Sequence, residues 1–413
     1  MNVWMFPLKK VVLSVMLRLI LTLCLFGSLS LFGQKDRFLK EVFDSVRIST
    51  IQYSDVYKDL AHQADVYQPA GDTASLRPLV LYVHGGSFIS GDKGSNDCRD
   101  FCMRFARLGY VAVSVNYRLA TLLQFMVSKD VQMQIVMKSM ADIKSAIRYF
   151  GVDAATANQY RCDTNRVFLG GYSAGAVAAL HTAYIDSLSE LTAAEQQLLK
   201  SAVGNLDGDA GNNSGSFRLK ALFSLAGALH KPAWISSGEE PVWLAHSRDD
   251  ATVSFNCAPG LGLPNVLELC GTGKLLPALR NKNVMYDSML LDKEGHGWPS
   301  GGNGNASFVK ALTEISKFLY PMVQTATLGV ADMATKSSML YIFPNPAGPG
   351  ASIRLNAEQP LGFVRMFNVE GKLMLERRFN GQERALELDV AHLPAGFYWV
   401  ETAAGRAKLA LER

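Results

Sequence analysis

The sequence lacks the patterns that mark several common functional classes. Its six cysteines and seven histidines form no Cys-x-x-Cys pair and no cluster with zinc spacing, so we expect neither a metal site nor a cofactor. Lysine plus arginine number 41 against 37 acidic residues, without a basic stripe, which argues against nucleic acid as a partner. Charged residues make up 19% and hydrophobic residues 48% of the 413 positions, a balance typical of a globular chain that buries a core.

The first 33 residues differ from the rest of the chain. Lys9 and Lys10 precede an apolar run that only Arg18 and small polar residues interrupt, which is typical of a secretory signal peptide over residues 1–33. A membrane anchor is the alternative, but Arg18 would cost about 2.5 kcal/mol or more in a bilayer. The bulky leucine before Cys24 fits a lipoprotein box poorly. We therefore expect export through the periplasm to a secreted or cell-surface location, without a permanent membrane span.

Five cysteines remain outside this leader, namely Cys98, Cys102, Cys162, Cys257 and Cys270. An exported protein can form disulfides, and an odd number leaves at least one thiol unpaired or shared between chains. Cys257 and Cys270 flank a loop with glycine and proline, which favours them as a pair. Cys98 and Cys102 have helical spacing that makes a bond between them awkward, so one of them could instead pair with Cys162.

Short apolar runs alternate with longer amphipathic segments from about residue 40 to 320. The runs interpreted as buried strands are Leu79–His84, Tyr110–Asn116, Arg166–Gly170, Leu219–Ala226, Pro241–Ala245 and Val284–Leu291. The segments with helical periodicity are Asp97–Leu108, Ser139–Phe150, Ala174–Ser187 and Ala306–Tyr320. Strands separated by helices predict parallel pairing, and hence an α/β fold with a doubly wound, mostly parallel sheet over residues 40–320.

The chain changes character after residue 320. Residues 321–339 are rich in threonine and small side chains without sustained periodicity, which is typical of a linker. Over residues 340–413, alternating segments separated by Asn, Gly and Pro predict a compact antiparallel β-sandwich of roughly seven short strands. The alternating segments are Ser352–Leu355, Val364–Phe367, Leu373–Arg377, Ala385–Leu388 and Phe397–Glu401.

This last region resembles the C-terminal sorting domain of the Bacteroidetes type IX secretion system. The resemblance rests on Phe343-Pro344-Asn345-Pro346, on the run Phe367–Lys372, on Leu393–Tyr398 and on the closing Lys408-Leu409, in that order. It implies that residues 340–413 direct passage across the outer membrane, with the type IX machinery as a partner. The alternative is a β-sandwich that binds carbohydrate, although the sequence shows no aromatic platform that argues for it.

The strongest local signal for chemistry is Gly171-Tyr172-Ser173-Ala174-Gly175, which lies between an apolar strand and an alanine-rich helix. This strand–turn–helix arrangement is the nucleophile elbow of α/β-hydrolases, in which flanking glycines let the serine hydroxyl project free of the sheet. The motif predicts Ser173 as a nucleophile.

Donors for a tetrahedral oxyanion should come from the backbone after an earlier strand. His84-Gly85-Gly86-Ser87-Phe88 follows such a strand and matches the H-G-G-G type of loop, with serine in the fourth position. We expect the N–H groups of Gly86, Ser87 and Ala174 to form the oxyanion hole, with Gly85 as a weaker candidate.

A serine nucleophile needs a base and an orienting acid, which follow it in the chain order Ser, Asp, His. Strand Pro241–Ala245 runs into a segment whose pattern selects Asp250 as the acid, and Asp249 is the alternative, more simply read as a solvated neighbour. His246 is expected to support this turn. His296 lies between Gly295 and Gly297 after the last predicted strand, so it is predicted as the base.

Together these motifs resemble the esterase/lipase group of α/β-hydrolases related to hormone-sensitive lipase and bacterial carboxylesterases, a resemblance that also includes the run Tyr110–Leu119. It implies a secreted serine carboxylesterase that forms an acyl-enzyme on Ser173 and hydrolyses it with water activated by His296. Phe88, Tyr172 and Trp298 are the predicted substrate-binding residues. Leu261, Trp234 and Trp243 could line the same pocket, although aromatic residues near strands more often belong to a core.

Two choices remain open from the sequence. Within ester chemistry, the substrate could be a small ester, a polyester, or a feruloyl or acetyl ester of plant polysaccharide. From another class, a displayed binding protein could keep the hydrolase scaffold without turnover, but all three residues of the relay are present here.

Overall fold

The computed structural model describes residues 36–324, 340–348, 350, 352–357, 359–368, 372–379 and 382–412. The predicted signal peptide at residues 1–33 lies outside the described residues, and so does the predicted linker from residue 325 to residue 339. The domain boundaries drawn from the sequence therefore stay predictions.

An eight-stranded, mostly parallel sheet forms the centre of the part before residue 324. In chain order, the strands here are β1 (Val46–Gln52), β2 (Gln63–Pro69), β3 (Arg77–Val83), β4 (Val111–Val115), β5 (Cys162–Tyr172), β6 (Leu219–Leu225), β7 (Ala228–Leu229), β8 (Val242–Ser247), β9 (Cys257–Pro259), β10 (Glu268–Gly271) and β11 (Tyr286–Leu291). The central sheet has the order β1-β2-β4-β3-β5-β6-β8-β11. Its pairs from β4 to β11 are parallel, whereas β1 and β2 join antiparallel.

Helices cover both faces of this sheet. They are α1 (Asn96–Leu108), α2 (Leu122–Phe125), α3 (Lys129–Ala155), α4 (Ala174–Tyr184), α5 (Ala193–Val203), α6 (Thr272–Asn281) and α7 (Ala306–Val323). Successive residues of a strand point to opposite faces, so Leu79 and Leu81 of β3 pack with α3 and α4, while Val80 and Tyr82 pack with α1 and α7. Because both faces are covered, the central strands are continuously apolar, and the predicted doubly wound α/β fold is confirmed.

The structure extends several predicted helices. Helix α3 begins at Lys129 rather than Ser139, since Ser128 caps its N-terminus by accepting a hydrogen bond from the Val131 N–H. Helix α7 continues past Pro321 to Val323 because Met322 and Val323 are buried in the apolar layer. The antiparallel strands β1 and β2 were not predicted, and neither were α5 and α6.

The predicted disulfide between Cys257 and Cys270 is confirmed. It joins β9 to β10 in a small separate sheet of order β7-β10-β9. The alternative pairing of Cys162 with Cys98 or Cys102 is wrong, since all three thiols are free and buried. Cys98 and Cys102 lie in the apolar layer on the α1 side of the central sheet, whereas Cys162 lies in the layer on the α3 side.

Residues from 340 onward form two antiparallel sheets of short strands, as predicted. In chain order the strands are β12 (Leu340–Phe343), β13 (Ser352–Ala357), β14 (Phe363–Asn368), β15 (Leu373–Arg378), β16 (Ala385–Asp389), β17 (Gly396–Thr402) and β18 (Gly405–Leu411). One sheet has the order β12-β13-β16 and the other β15-β14-β17-β18. Alternate residues such as Ile353, Leu355, Val364, Met366 and Val400 are fully buried in a core of their own.

The second region contacts the first at the end of the central sheet where its parallel strands begin. The Phe343 ring meets Phe318 near the end of α7, with 5.3 Å between ring centroids. The Arg354 guanidinium lies over the ring of Tyr286, the first residue of β11, 4.3 Å from its centroid. Among the residues described, no helix is long and apolar enough to span a membrane.

Candidate active site

Ser173 lies in the sharp turn between β5 and α4. Its backbone has φ 55° and ψ −124°, a region that a non-glycine residue rarely adopts. The turn is held because the Ser173 N–H donates to the Leu225 carbonyl at 2.9 Å, and the Ser173 carbonyl accepts from the Val177 N–H at 2.9 Å. A Cβ at Gly175 would lie 2.1 Å from the Val83 carbonyl oxygen, so only glycine fits where the helix starts against β3.

The structure brings Ser173, His296 and Asp250 together. The Nε2 atom of His296 lies 2.8 Å from the Ser173 hydroxyl oxygen, and its Nδ1 atom lies 2.7 Å from Asp250 Oδ2. An ionised carboxylate can only accept, so Nδ1 carries the proton and Nε2 is the acceptor for the serine hydroxyl. This arrangement can draw a proton from Ser173 without moving any of the three side chains.

Hydrogen bonds keep Asp250 ionised despite its burial. Its Oδ1 atom accepts from the N–H groups of Thr252 and Val253, both at 2.9 Å, and its Oδ2 atom also lies 3.3 Å from His246 Nε2. Burial alone would raise the pKa of the Asp250 carboxyl, but the hydrogen bonds from His246 and His296 outweigh it and hold that pKa well below its usual range. His246, fully buried, also reaches the Val253 carbonyl at 2.8 Å, which fits the supporting role expected of it.

Asp249 is exposed to solvent, as expected, but it also holds the loop that carries His296. Its Oδ1 atom accepts from the Ser247 hydroxyl at 2.5 Å and from the Gly295 N–H at 3.0 Å. The Ser247 hydroxyl oxygen in turn accepts from the Glu294 N–H at 2.9 Å. Asp249 and Ser247 therefore tie the loop that carries His296 to the end of β8, and no sequence motif had pointed to Ser247.

The loop after β3 forms a tight turn beside the nucleophile. Ile89 and Ser90 donate its hydrogen bonds to the Gly86 carbonyl at 3.0 Å, so the turn does not use the N–H groups of Gly86 and Ser87. Gly86 has φ 117°, and a Cβ there would lie 2.0 Å from the Ser90 carbonyl oxygen. A Cβ at Gly85 would lie 3.1 Å from the Ser173 Cβ, which shows how closely the loop approaches the elbow.

His84 holds the start of this loop. Its Nδ1 atom lies 2.7 Å from the Gly85 carbonyl oxygen, and its ring stacks on Tyr117 with 4.4 Å between centroids. The Tyr117 hydroxyl donates to the His84 carbonyl at 3.0 Å. Burial lowers the pKa of His84, so the imidazole is neutral and acts as a fixed donor to the loop.

An apolar pocket that is partly open to solvent lies beside Ser173. It is lined by Ser87, Phe88, Phe125, Gln132, Val136, Ser173, Ala174, Val177, Thr252, Val253, Gly260, Leu261, Val266, Leu267 and Leu269. The predicted oxyanion donors Ser87 and Ala174 thus lie in the same wall as the nucleophile, and Phe88 and Leu261 lie in it as well. No lining side chain is charged.

The other aromatic residues proposed for substrate binding lie elsewhere. Tyr172 packs against the His296 ring, with 5.3 Å between centroids, and its hydroxyl donates to the His296 carbonyl at 3.3 Å, so it braces the base. Trp298 is not in the pocket wall: it is 3% exposed and belongs to the apolar layer beneath α1 and α7. Trp234 and Trp243 are likewise buried in the core. The large apolar rings of all three tryptophans are therefore buried in the core, and none of them lines the pocket.

No group of three or more His, Cys, Asp or Glu side chains in the described ranges could hold a metal ion.

Comparisons with known proteins agree with this geometry. Residues 64–227 match the BD-FAE family, and residues 341–411 match the family described as secretion system C-terminal sorting domain. Arylacetamide deacetylase of Bos taurus is 27% identical over 297 residues, covering 68% of this chain and 67% of that protein. The structure of esterase Est2 from Thermogutta terrifontis matches with a TM-score of 0.50 and 20% identity, over 68% of this chain and 95% of that one.

The fold is that of an α/β-hydrolase, and residues 64–227 are similar to the BD-FAE family of esterases. More narrowly, the chain is a carboxylesterase-type hydrolase with a BD-FAE domain, joined to a C-terminal sorting domain of the type IX secretion system that marks it for export to the cell surface or the medium. Both resemblances drawn from the sequence are confirmed.

Proposed function

We propose that this protein is a serine carboxylesterase that hydrolyses esters through an acyl-enzyme on Ser173. The observation that carries the proposal is the continuous relay from the Ser173 hydroxyl through His296 to Asp250, with steps of 2.8 Å and 2.7 Å. These distances lie within hydrogen-bond reach, as a nucleophile and its base require.

In the acylation step, His296 Nε2 takes the proton of Ser173 while the serine oxygen attacks the ester carbonyl. The backbone N–H groups of Ser87 and Ala174, with Gly86 and Gly85 beside them, stabilise the negative charge on the tetrahedral oxygen. The imidazolium then gives its proton to the alcohol oxygen, the ester C–O bond breaks, and the alcohol leaves.

In the deacylation step, His296 takes a proton from water, and the resulting nucleophile attacks the acyl-enzyme carbonyl. The second tetrahedral intermediate collapses with return of the proton to Ser173, which releases the carboxylic acid. Asp250 stabilises the imidazolium in both steps and fixes the tautomer, while Asp249, Ser247 and Tyr172 keep the imidazole in place.

The export route is also part of the proposal. Residues 1–33 direct the chain into the periplasm, and the sorting domain then takes the folded hydrolase across the outer membrane. The hydrolase therefore meets its ester substrate outside the cell.

Replacing the nucleophile tests the catalytic proposal. Ser173→Ala removes the attacking oxygen, so we expect turnover of p-nitrophenyl butyrate to fall by about 10³-fold or more, since the remaining oxyanion donors and binding act without a covalent step. A fluorophosphonate probe should label the wild-type protein and not the variant.

The control is Ser90→Ala, which lies in the oxyanion loop but outside the relay and should still be labelled. Circular dichroism would establish that both variants are folded. Undiminished turnover by folded Ser173→Ala protein would end the proposal, and a wild-type protein that neither labels nor turns over esters would favour a binding protein on the same scaffold.

A further inference from the structure

The pocket beside Ser173 lies on the side that receives the acyl group, if the proposed function holds. His296 must give its proton to the leaving alcohol, so the alcohol occupies the space beside His296. Neither His296 nor its neighbour Tyr172 lines the pocket, whereas Ala174 and Val177 of α4 do. The pocket is therefore the one that holds the acyl chain while it is bonded to Ser173.

The disulfide loop supplies one wall of this acyl pocket. The bond between Cys257 and Cys270 closes the base of the loop, where β9 pairs with β10. Between these cysteines, the residues that reach the pocket are Gly260, Leu261, Val266, Leu267 and Leu269. Between its ends the loop also bonds the body of the protein at Leu261, whose N–H donates to the Thr252 carbonyl at 2.7 Å, and at Glu268, whose carbonyl oxygen lies 2.6 Å from His230 Nδ1.

Gln132 of α3 attaches the part of the loop between these two points, at Asn265 and Leu267. Its side chain is 2% exposed, and its Oε1 atom accepts from the Leu267 N–H at 2.7 Å. Its Nε2 atom donates to the Phe125 carbonyl at 2.8 Å and to the Asn265 carbonyl at 3.3 Å. One amide thus holds the disulfide loop and the end of α2 at a fixed separation, and both segments line the pocket.

These contacts use both N–H groups of the Gln132 amide and one acceptor site of its oxygen, and every partner is a backbone atom. The other polar residues of the wall are Ser173 itself, Ser87 of the oxyanion loop and Thr252, whose N–H donates to Asp250. The polar groups are therefore grouped around the reacting atoms, and the remainder of the wall offers only apolar surface.

We propose that Gln132 is a specificity-determining residue: by joining the disulfide loop to α2 it sets the depth of the acyl pocket, and its two N–H groups are both already bonded to backbone carbonyls. The substrate class that fits is an ester of an uncharged, apolar acyl group without hydroxyl substituents. A hydroxylated aryl acyl group, such as a feruloyl group, fits less well, because its buried hydroxyl would lose water and the apolar wall away from Ser173 offers no free N–H donor to replace it.

The wild-type protein gives the first test, without any variant. Across p-nitrophenyl acetate, propionate and butyrate, kcat/KM should rise by about fourfold per added methylene, which is the value of burying one in an apolar site. p-Nitrophenyl 3-(4-hydroxyphenyl)propanoate should react about tenfold or more slowly than p-nitrophenyl 3-phenylpropanoate. Equal rates for this pair, or a faster reaction of the hydroxylated ester, would overturn the assignment of substrate class.

The second test uses Gln132→Met, which keeps the length of the side chain and removes its hydrogen bonds. The released loop should admit longer chains, so the octanoate-to-butyrate ratio of kcat/KM should rise about tenfold or more over wild type. Gln134→Met is the matched control, because Gln134 lies on the same helix and bonds Ser201 instead of the pocket wall; its ratio should stay within about twofold.

The outcomes separate this inference from the proposed function. Esters that turn over in a Ser173-dependent way, with an unchanged ratio in Gln132→Met, would overturn the role of Gln132 alone. An absence of Ser173-dependent turnover with every ester would instead remove the proposed function. Should Gln132→Met fail to fold, the wild-type ester pair still decides the substrate class, and the octanoate-to-butyrate ratio of Cys257→Ser/Cys270→Ser tests the fixed loop.

Discussion

Asp249 and Asp250 are neighbours in the chain but contact different partners. Asp250 reaches the imidazole of His296, whereas Asp249 reaches the Gly295 N–H and the Ser247 hydroxyl. The backbone turn after β8 points the two carboxylates in different directions. One can orient the base directly, and the other only through the loop that carries it.

A pair of amide substitutions distinguishes these two parts. In Asp250→Asn, the base loses its anionic partner and its tautomer is no longer fixed, so we expect kcat for p-nitrophenyl butyrate to fall by about 10³- to 10⁴-fold. Asp249→Asn keeps an oxygen acceptor for Gly295, so kcat should fall by less than about tenfold. Steady-state kinetics on both folded variants would check this, and similar losses in the two would contradict the assignment of Asp250 as the acid.

The sequence located the residues of the relay because each lies in a motif with a mechanical reason, such as the glycines around Ser173. It did not find Gln132 or Ser247, since both act through backbone atoms of segments distant in sequence. Trp298 was predicted to bind substrate, but its ring lies in the apolar layer of the core. Motifs reveal the reacting groups, whereas the residues that hold them depend on tertiary contacts.

At the scale of elements, α1 and β3 share a buried acid. Asp97, in the first turn of α1, accepts a hydrogen bond from the Tyr82 hydroxyl of β3 at 2.9 Å and is 3% exposed. Burial raises the pKa of its carboxyl to about 6, in spite of the hydrogen bond from Tyr82. The folded protein therefore favours the protonated form of Asp97 more than the unfolded chain does.

This raised pKa makes the contribution of Asp97 to stability depend on pH. The contribution is lost as pH rises from the unfolded pKa, about 3.9, through the folded pKa, because the folded state must then bury a charge. Asp97→Asn removes that charge and keeps an acceptor for Tyr82. We expect its free energy of unfolding, relative to that of wild type, to be higher at pH 8 than at pH 4 by about 1–3 kcal/mol.

Urea titrations at the two pH values would measure this difference. Asp130→Asn is the control, since Asp130 also lies in the first turn of a helix, α3, but is exposed. An Asp97→Asn variant whose stability relative to wild type is the same at both pH values would contradict the prediction.

The sequence located six strands of the central sheet because buried parallel strands form continuous apolar runs. It did not locate the edge strand β1, in which no residue is fully buried, or its neighbour β2, whose buried residues are mixed with polar ones. The predicted start of α3 at Ser139 is later than the observed start at Lys129, because polar and apolar residues are mixed along the first turns of this helix. Whether an edge strand or a helix with mixed polar and apolar residues forms depends on its tertiary contacts. Local sequence periodicity does not contain that information.

For the molecule as a whole, the site and the sorting domain lie at opposite ends of the central sheet. Ser173 and His296 follow the last residues of β5 and β11, whereas Tyr286 and the end of α7 meet the sorting domain at the other end. No residue of the pocket wall belongs to the sorting domain.

We therefore expect a chain that ends at Gln324 to retain activity. Its kcat/KM for p-nitrophenyl butyrate should stay within about twofold of the longer chain, while the free energy of unfolding falls by about 1–3 kcal/mol because Phe318 loses its cover. Kinetics and urea titration of both chains would measure the two effects. A loss of more than tenfold in kcat/KM by a folded fragment would mean that the sorting domain supports the site.

The position of this contact also sets the direction in which the hydrolase faces. If the sorting domain is held at a surface, the opposite end of the central sheet faces away from that surface. That opposite end carries the mouth of the acyl pocket. A cell that keeps this protein attached through its last domain would present that mouth to arriving esters as long as the contacts of Phe343 and Arg354 hold.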